Sequence, residues 1–127
     1  MSITVQWYVE GRIVLIQARG IITPSDIRAS REPLLAYLRQ GTPPIHIIYD
    51  GRYAELIQPR VVELRRAFSD TRLEAVGWEV LILHNSILRL IGSILFQMMN
   101  ADYTIVRSPE AALAFLEQHD KTLGEVS

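Results

Sequence analysis

The stretch Pro44-Ile45-His46-Ile47-Ile48-Tyr49-Asp50-Gly51 is an apolar run, rich in β-branched isoleucine, that stops abruptly at an acid and a glycine. A run of this length between proline and glycine indicates a strand buried on both faces of a sheet. Helical patterns lie on either side of it, which predicts a parallel sheet. Asp50 and the residues after it are then expected at the carboxyl edge, where open α/β folds usually hold their functional groups.

The residues before this strand predict a β-hairpin followed by a helix. Ile3–Val9 and residues 12–18 are rich in Ile, Val, Trp and Tyr, and a short turn between them predicts antiparallel pairing. Gly20 is predicted to end the second strand. The sequence Thr23-Pro24-Ser25-Asp26 provides an N-cap, a proline at the first helical position and an acid in the first turn. Pro33 is predicted to kink this helix or divide it.

The residues after the central strand alternate between helical and strand patterns. They predict a loop over residues 51–57, a helix from Gln58-Pro59, a strand over 77–83, a helix over 86–99, a short strand over 103–106 and a last helix that begins at Ser108-Pro109. Residues 121–127 are expected to be a frayed tail on a domain that spans residues 1–120. The order ββαβαβαβα predicts a single α/β domain with a mixed, mostly parallel sheet.

Composition excludes several classes of function. The chain has 127 residues, 49% of them hydrophobic, which suits one compact domain. Thirteen basic and fourteen acidic residues leave a net charge of -1, so a nucleic-acid partner is not expected. The chain has no cysteine, and its three histidines are scattered, so neither a metal site nor a cofactor is predicted. The first residues lack a signal-peptide pattern, and we expect a cytoplasmic protein.

Three segments of the chain resemble the STAS superfamily, which includes the anti-sigma factor antagonists and the looser SpoIIAA-like group. These segments are Gly20-Ile21-Ile22, Ile47-Ile48-Tyr49-Asp50 and Ser108-Pro109-Glu110-Ala111-Ala112-Leu113. The resemblance extends from about residue 3 to residue 119 and rests on layout and apolar pattern. It implies a non-catalytic regulatory domain that binds a protein kinase or another protein, and some SpoIIAA-like members are suspected of holding lipid or other apolar ligands.

The chain departs from the antagonist family in one respect. By resemblance, a phosphorylatable Ser or Thr is expected after the central strand, at the start of the next helix. Residues 50–68 contain neither, and Gln58-Pro59 stands at the matching place. A phosphorylation switch is therefore not expected there. Arg52, Arg60 and the helix start remain candidates to receive an anionic group from a ligand or a partner.

The segment Ser86–Met99 is unusually apolar, with Arg89 as its only formal charge. A surface helix normally has a polar outer face, so this helix is either buried or docks against a partner. Its length falls short of a bilayer span. An exposed strip would serve a homodimer, another protein partner or a lipid groove against residues 53–57. Its candidate members are Ile87, Leu90, Ile91, Ile94, Leu95, Met98 and Met99.

The sequence also allows an enzyme. Asp50, His84 and Ser86 follow two buried strands and could form an acid, base and nucleophile set, although no Gly-x-Ser-x-Gly elbow is present. Asp50 could instead cap the adjoining backbone. The favoured prediction is a non-enzymatic module that binds a protein, itself or a regulator, and the alternative is a carrier or sensor of an apolar molecule. The predicted site comprises Asp50, Arg52, Tyr53, Gln58, Arg60 and the apolar helix.

Overall fold

A computed structural model of the chain describes residues 3–57 and 74–125. Within these residues one sheet has the strand order β1-β2-β3-β4-β5. β1 pairs with β2 in antiparallel fashion, and all other pairs are parallel. The predicted mixed, mostly parallel sheet is thus confirmed. The strands are β1 (Ile3–Val9), β2 (Ile13–Ile22), β3 (Ile45–Ile57), β4 (Val76–Ile82) and β5 (Tyr103–Val106).

The helices begin where the sequence provides caps. Their bounds are α1 (Pro24–Ala29), α2 (Arg31–Gln40), α3 (Ser86–Met98) and α4 (Pro109–His119), and a 3₁₀ helix spans Lys121–Glu125. The Thr23 hydroxyl accepts from the Asp26 N–H at 3.1 Å, and the Asp26 carboxylate accepts from the Thr23 N–H at 2.9 Å. This capping box satisfies two backbone donors that the helix itself leaves unpaired.

The two faces of the sheet bury different helices. α1, α2 and α3 pack on one face, because right-handed crossovers in a sheet whose order follows the chain place connecting helices on the same side. α4 follows the last strand and covers the other face together with the 3₁₀ helix. The first core includes Ile16, Ile47, Leu81, Leu88 and Leu95. The second core includes Ile13, Ile48, Val80, Ile82, Ala112, Leu116 and Leu123.

Strands β2 and β3 are longer than the sequence pattern predicts. Gly20 does not end β2 but lies within it at a φ of 69°, a conformation that glycine adopts without steric cost. The predicted loop over residues 51–57 is instead the second half of β3. Irregularities in the register near Arg19 and Ile21 accommodate extra residues of β3, so the two strands stay paired as far as Ile22 and Ile57.

The predicted division of the first helix is confirmed, one other prediction needs correction, and a third lies outside the described residues. The first helix divides at Ser30, and Pro33 is the third residue of α2, where a missing N–H breaks no helical hydrogen bond. The tail predicted from residue 121 to 127 is not frayed over Lys121–Glu125, since Leu123 is buried against α4. The helix predicted from Gln58-Pro59 lies outside the described residues.

Candidate functional site

Helix α3 buries one side and exposes a line of large apolar side chains on the other. The Asn85 side chain caps its start by accepting from the N–H groups of Ile87 and Leu88. Toward the sheet, α3 buries Leu88, Gly92, Leu95 and Phe96. Toward solvent it presents Ile87 at 65% exposure, Leu90 at 62%, Ile94 at 40% and Met98 at 43%. We call these four residues the α3 strip; their spacing of three or four positions places them along one side of the helix.

Three predicted members of the apolar surface are not part of the strip. Leu95 is only 4% exposed and belongs to the core, which corrects its assignment as a docking residue. Ile91 and Met99 are half-buried against the same core. Gly92 explains how closely α3 approaches the sheet, because a Cβ atom at this position would lie 3.0 Å from Cδ2 of Leu81. This glycine therefore allows α3 to pack closely against the chain's own sheet.

The buried Asp50 and the half-buried Arg52 form an ion pair in the middle of β3, and not at the carboxyl end of the strand where the sequence pattern places Asp50. Arg52 donates to the Asp50 carboxylate through Nε at 2.9 Å, through a terminal nitrogen at 2.8 Å and through its backbone N–H at 3.2 Å. The Gln17 side chain donates at 3.5 Å. Burial raises the pKa of Asp50, but these hydrogen bonds and the Arg52 charge outweigh it, so the pKa lies below its ordinary value. The capping alternative for Asp50 agrees with this geometry.

Tyr53 and two guanidinium groups form an exposed cluster beside this ion pair. The guanidinium carbon of Arg19 lies 4.9 Å from the centre of the Tyr53 ring, and that of Arg52 lies 5.3 Å away. The hydrogen bonds to Asp50 and its charge hold the pKa of Arg52 above its ordinary value. Arg19 was not singled out from the sequence, since only its pairing with Tyr53 across β2 and β3 brings it here.

The structure does not assemble the hydrolase set. Among the described residues, the carboxylate of Asp50 hydrogen-bonds with Gln17 and Arg52 and makes no bond to His84. Nε2 of His84 lies 2.7 Å from the Arg107 carbonyl. Ser86 is exposed in the first turn of α3. Asp50, His84 and Ser86 are therefore not joined by the hydrogen bonds from acid to base to hydroxyl that a catalytic triad requires.

An apolar cavity of about 110 Å³ lies between α1, α3 and the sheet. Gly51 and Ala54 of β3 line it, but Tyr53, which the predicted lipid groove included, does not. Its lining includes the polar residues Ser30, Arg31 and Asp50. The apolar part of its lining includes Ala18, Ile22, Ile27, Leu88, Ile91 and Phe96.

A buried polar network that the sequence pattern does not predict lies at the amino ends of the parallel strands. Asp120 accepts from Arg12 and pairs with Nε2 of His46, both at 2.8 Å. Arg12 also donates to the Thr122 hydroxyl at 2.9 Å and to the Pro44 carbonyl. A histidine inside an apolar strand requires partners, because unpaired buried polar groups are costly. The pattern around His46 contains no information about a partner in the C-terminal turn.

Two predicted site residues lie outside the part of the chain that the structure describes, and within that part we examined metal ligands and membrane-spanning helices. Gln58 and Arg60 fall outside residues 3–57 and 74–125. No three His, Cys, Asp or Glu side chains within those ranges are placed to share a metal ion. None of the helices described combines the length and the apolar character that a membrane crossing requires.

The fold resembles solved structures, while the sequence matches no protein-family model and no curated protein. An uncharacterised DUF3478-family protein with a SpoIIAA-like fold, from Shewanella loihica PV-4, aligns with a TM-score of 0.66 at 11% identity, over 90% of this chain and 91% of its own. The unphosphorylated anti-sigma factor antagonist SpoIIAA aligns with a TM-score of 0.62 at 14% identity, over 91% and 96%. The Bacillus cell fate determinant SpoIIAA in its phosphorylated form aligns with a TM-score of 0.56 at 13% identity, over 90% and 98%.

These likenesses define the class of fold. The chain is an α/β domain with the SpoIIAA-like fold, as the resemblance in its sequence implied. Identities of this size establish the fold and leave the site to be argued from the chain's own residues.

Proposed function

We propose that the chain is a regulatory protein-interaction module that docks through the α3 strip. The observation that carries the proposal is the exposure of Ile87, Leu90, Ile94 and Met98 along one side of a helix whose other side is already buried. Contiguous exposed apolar surface on a small domain marks interaction sites. The fold supports a regulatory role, since an anti-sigma factor antagonist has the same architecture.

The proposed regulation does not use phosphorylation of a Ser or Thr after the central strand. Residues 50–68 contain no Ser or Thr. Asp50 is also buried and paired with Arg52, so its carboxylate does not provide a free negative charge. A partner of this module therefore recognises apolar surface rather than a change of charge in residues 50–68.

The first occupant that we propose for the α3 strip is a second copy of the chain. The strip has no charged member, so two copies related by a two-fold axis bring apolar side chains together without opposing like charges. Such an isologous contact also covers the strip on both copies at once. A regulatory protein with a matching apolar helix or groove is the other occupant.

Solution mass tests this proposal. Light scattering on the native chain is expected to give a dimer, and Ile87→Glu with Leu90→Glu is expected to give a folded monomer because both residues are mostly exposed. Ala111→Glu with Ala114→Glu adds the same charge to the exposed side of α4 and should leave the dimer intact. A native chain that stays monomeric, or a strip variant that stays dimeric, contradicts the homodimer.

A second candidate function is supported by the cavity. An engineered apolar cavity of about 150 Å³ binds benzene, so a cavity of about 110 Å³ suits a small apolar molecule rather than a whole lipid. Benzene is the probe, and its binding is measured by the rise in the melting temperature. A melting temperature that does not change at saturating benzene contradicts the carrier function and leaves the docking proposal untouched.

A further inference from the structure

A second exposed surface lies on the sheet face opposite α3. Asp50 follows Ile48 by two residues along β3, and Ile48 belongs to the core beneath α4, so Asp50 and its partner Arg52 lie on the α4 side. Arg52 and Arg19 both contact the ring of Tyr53. These contacts place the cluster on the side of the sheet that the α3 strip does not share.

The two arginines of the cluster differ in their partners: Asp50 forms an ion pair with Arg52, and the nearby Glu110 also acts electrostatically on Arg52. Asp50 compensates Arg52 through two side-chain hydrogen bonds. Arg19, by contrast, forms no ion pair within residues 3–57 and 74–125, and its described partner is the Tyr53 ring. A guanidinium held against an aromatic ring is oriented while the N–H groups at its edge stay available, so less side-chain freedom is lost when it binds a carboxylate.

Apolar surface accompanies this charge. Tyr53 is 53% exposed, and Ile21, two residues after Arg19 on β2, is 49% exposed. The neighbouring Ile22 is buried beneath α1, so alternation along the strand directs Ile21 to the same side as Arg19. Arginine and tyrosine are among the residue types that most often dominate binding energy at protein interfaces.

We infer that Arg19, Ile21 and Tyr53, which we call the Arg19 surface, dock a protein segment that presents a carboxylate beside an apolar side chain. The carboxylate accepts two hydrogen bonds from the Arg19 fork, and its charge is opposite to that of the guanidinium, which no ion pair within the described residues engages. The apolar neighbour packs between Ile21 and the Tyr53 ring. Because the α3 strip lies on the other face, the domain holds this segment and its α3 partner at the same time.

The test is a selection of random linear peptides displayed on phage, with the immobilised full-length chain as target. Peptides that carry Asp or Glu next to an apolar residue are expected to be enriched. Arg19→Ala is expected to weaken a synthetic copy of the best peptide about tenfold, and binding should weaken with added salt. Arg28→Ala removes an exposed arginine from α1 and is the matched control.

Charge reversal separates this surface from the α3 strip. Selection on Arg19→Glu is expected to enrich basic peptides, whereas Ile87→Glu with Leu90→Glu should leave the acidic peptides bound. If no acidic peptide is enriched, or if the enriched peptides bind Arg19→Ala as tightly as the native chain, the inference is wrong. Peptides that are lost only from the α3 variant support the docking proposal and overturn this one.

Discussion

Nε2 of His46 and Oδ2 of Asp120 lie 2.8 Å apart and join the central strand to the C-cap residue that follows α4. The other ring nitrogen of His46 accepts from the Trp78 N–H at 2.9 Å, so the proton of the neutral ring sits on Nε2 and is donated to Asp120. Arg12 donates to the same carboxylate oxygen. The network therefore attaches the C-terminal turn to the amino ends of β2, β3 and β4.

Asp120→Asn is expected to lower the free energy of unfolding by about 2 kcal/mol, since it leaves the buried guanidinium of Arg12 without a counter-charge. Asp102→Asn removes an exposed carboxylate at the start of β5 and is the matched control. Urea unfolding at pH 7 measures both variants. If both variants lose the same free energy of unfolding, the ion pair between Asp120 and Arg12 does not stabilise the fold.

The same network predicts how stability depends on pH. Burial lowers the pKa of His46 below its ordinary value of 6.5, in spite of the hydrogen bond to Asp120. The unfolded chain therefore gains a proton near pH 6.5 that the native chain does not, and the free energy of unfolding falls as the pH drops below that value. His46→Gln cannot titrate and should abolish this fall. An unchanged slope between pH 7 and 5 in this variant contradicts the assignment.

Asp120 adds a second loss of stability at lower pH. Burial raises its pKa, but hydrogen bonds from Thr122 and His46 and the charge of Arg12 outweigh burial and bring the pKa to about 2. Its stabilising effect is therefore complete above about pH 4 and disappears as the pH falls toward 2. Asp120→Asn should lose less stability than the native chain between pH 5 and 2, while Asp50, whose pKa is also lowered, titrates in both. If this variant loses as much free energy of unfolding as the native chain between pH 5 and 2, the loss comes from other carboxylates.

Local signals in the sequence predicted most elements. The apolar run that ends at Asp50 is a strand, and Thr23 and Ser108 cap helices through hydrogen bonds that extend over three residues. Such hydrogen bonds join residues that are close in sequence, so a local sequence pattern can predict them. The likeness of the overall order to SpoIIAA followed from the same patterns.

The features that sequence analysis missed depend on distant pairing. β3 continues to Ile57 because it stays paired with β2 over that length. The sequence of either strand taken alone does not predict this extension. Arg19 reaches Tyr53 only through that extension. The exposed side of α3 could not be chosen from its pattern either, because apolar residues occur on both sides and only the packed sheet determines that Leu95 is buried while Leu90 is exposed.

Gly77 is predicted to be essential for the position of His46. A Cβ atom at residue 77 would lie 2.6 Å from both Cε1 and Nδ1 of the imidazole, which is held by two hydrogen bonds. Gly77→Ala should therefore lower the free energy of unfolding by about 1–3 kcal/mol, the usual range for overpacking. In a double-mutant cycle, the cost of Gly77→Ala should shrink when His46 is already alanine. If the losses of the two single variants add up in the double variant, the imidazole of His46 moves aside without cost.

Arg52→Ala is predicted to destabilise the fold through Asp50. The carboxylate is 3% exposed and would lose its counter-charge, so the free energy of unfolding at pH 7 should fall by about 2 kcal/mol. The pKa of Asp50 should then rise, and part of the loss should be recovered at pH 4 relative to the native chain. Arg19→Ala, which leaves no buried carboxylate unpaired, is the control. Similar losses for both arginines would contradict a structural role for the ion pair.

Ala18→Val tests whether the cavity beneath α3 is empty in the native chain. Ala18 lines this cavity from β2, and the two added methyl groups should fill part of it and raise the free energy of unfolding by about 1 kcal/mol. Gln6→Val places the same side chain on an exposed position of β1 and measures the strand propensity of valine alone. The cavity-filling variant should also reduce the rise in melting temperature that benzene produces. A loss of stability with Ala18→Val would show that the space is too small for the added groups, and the carrier function would then lose its structural basis.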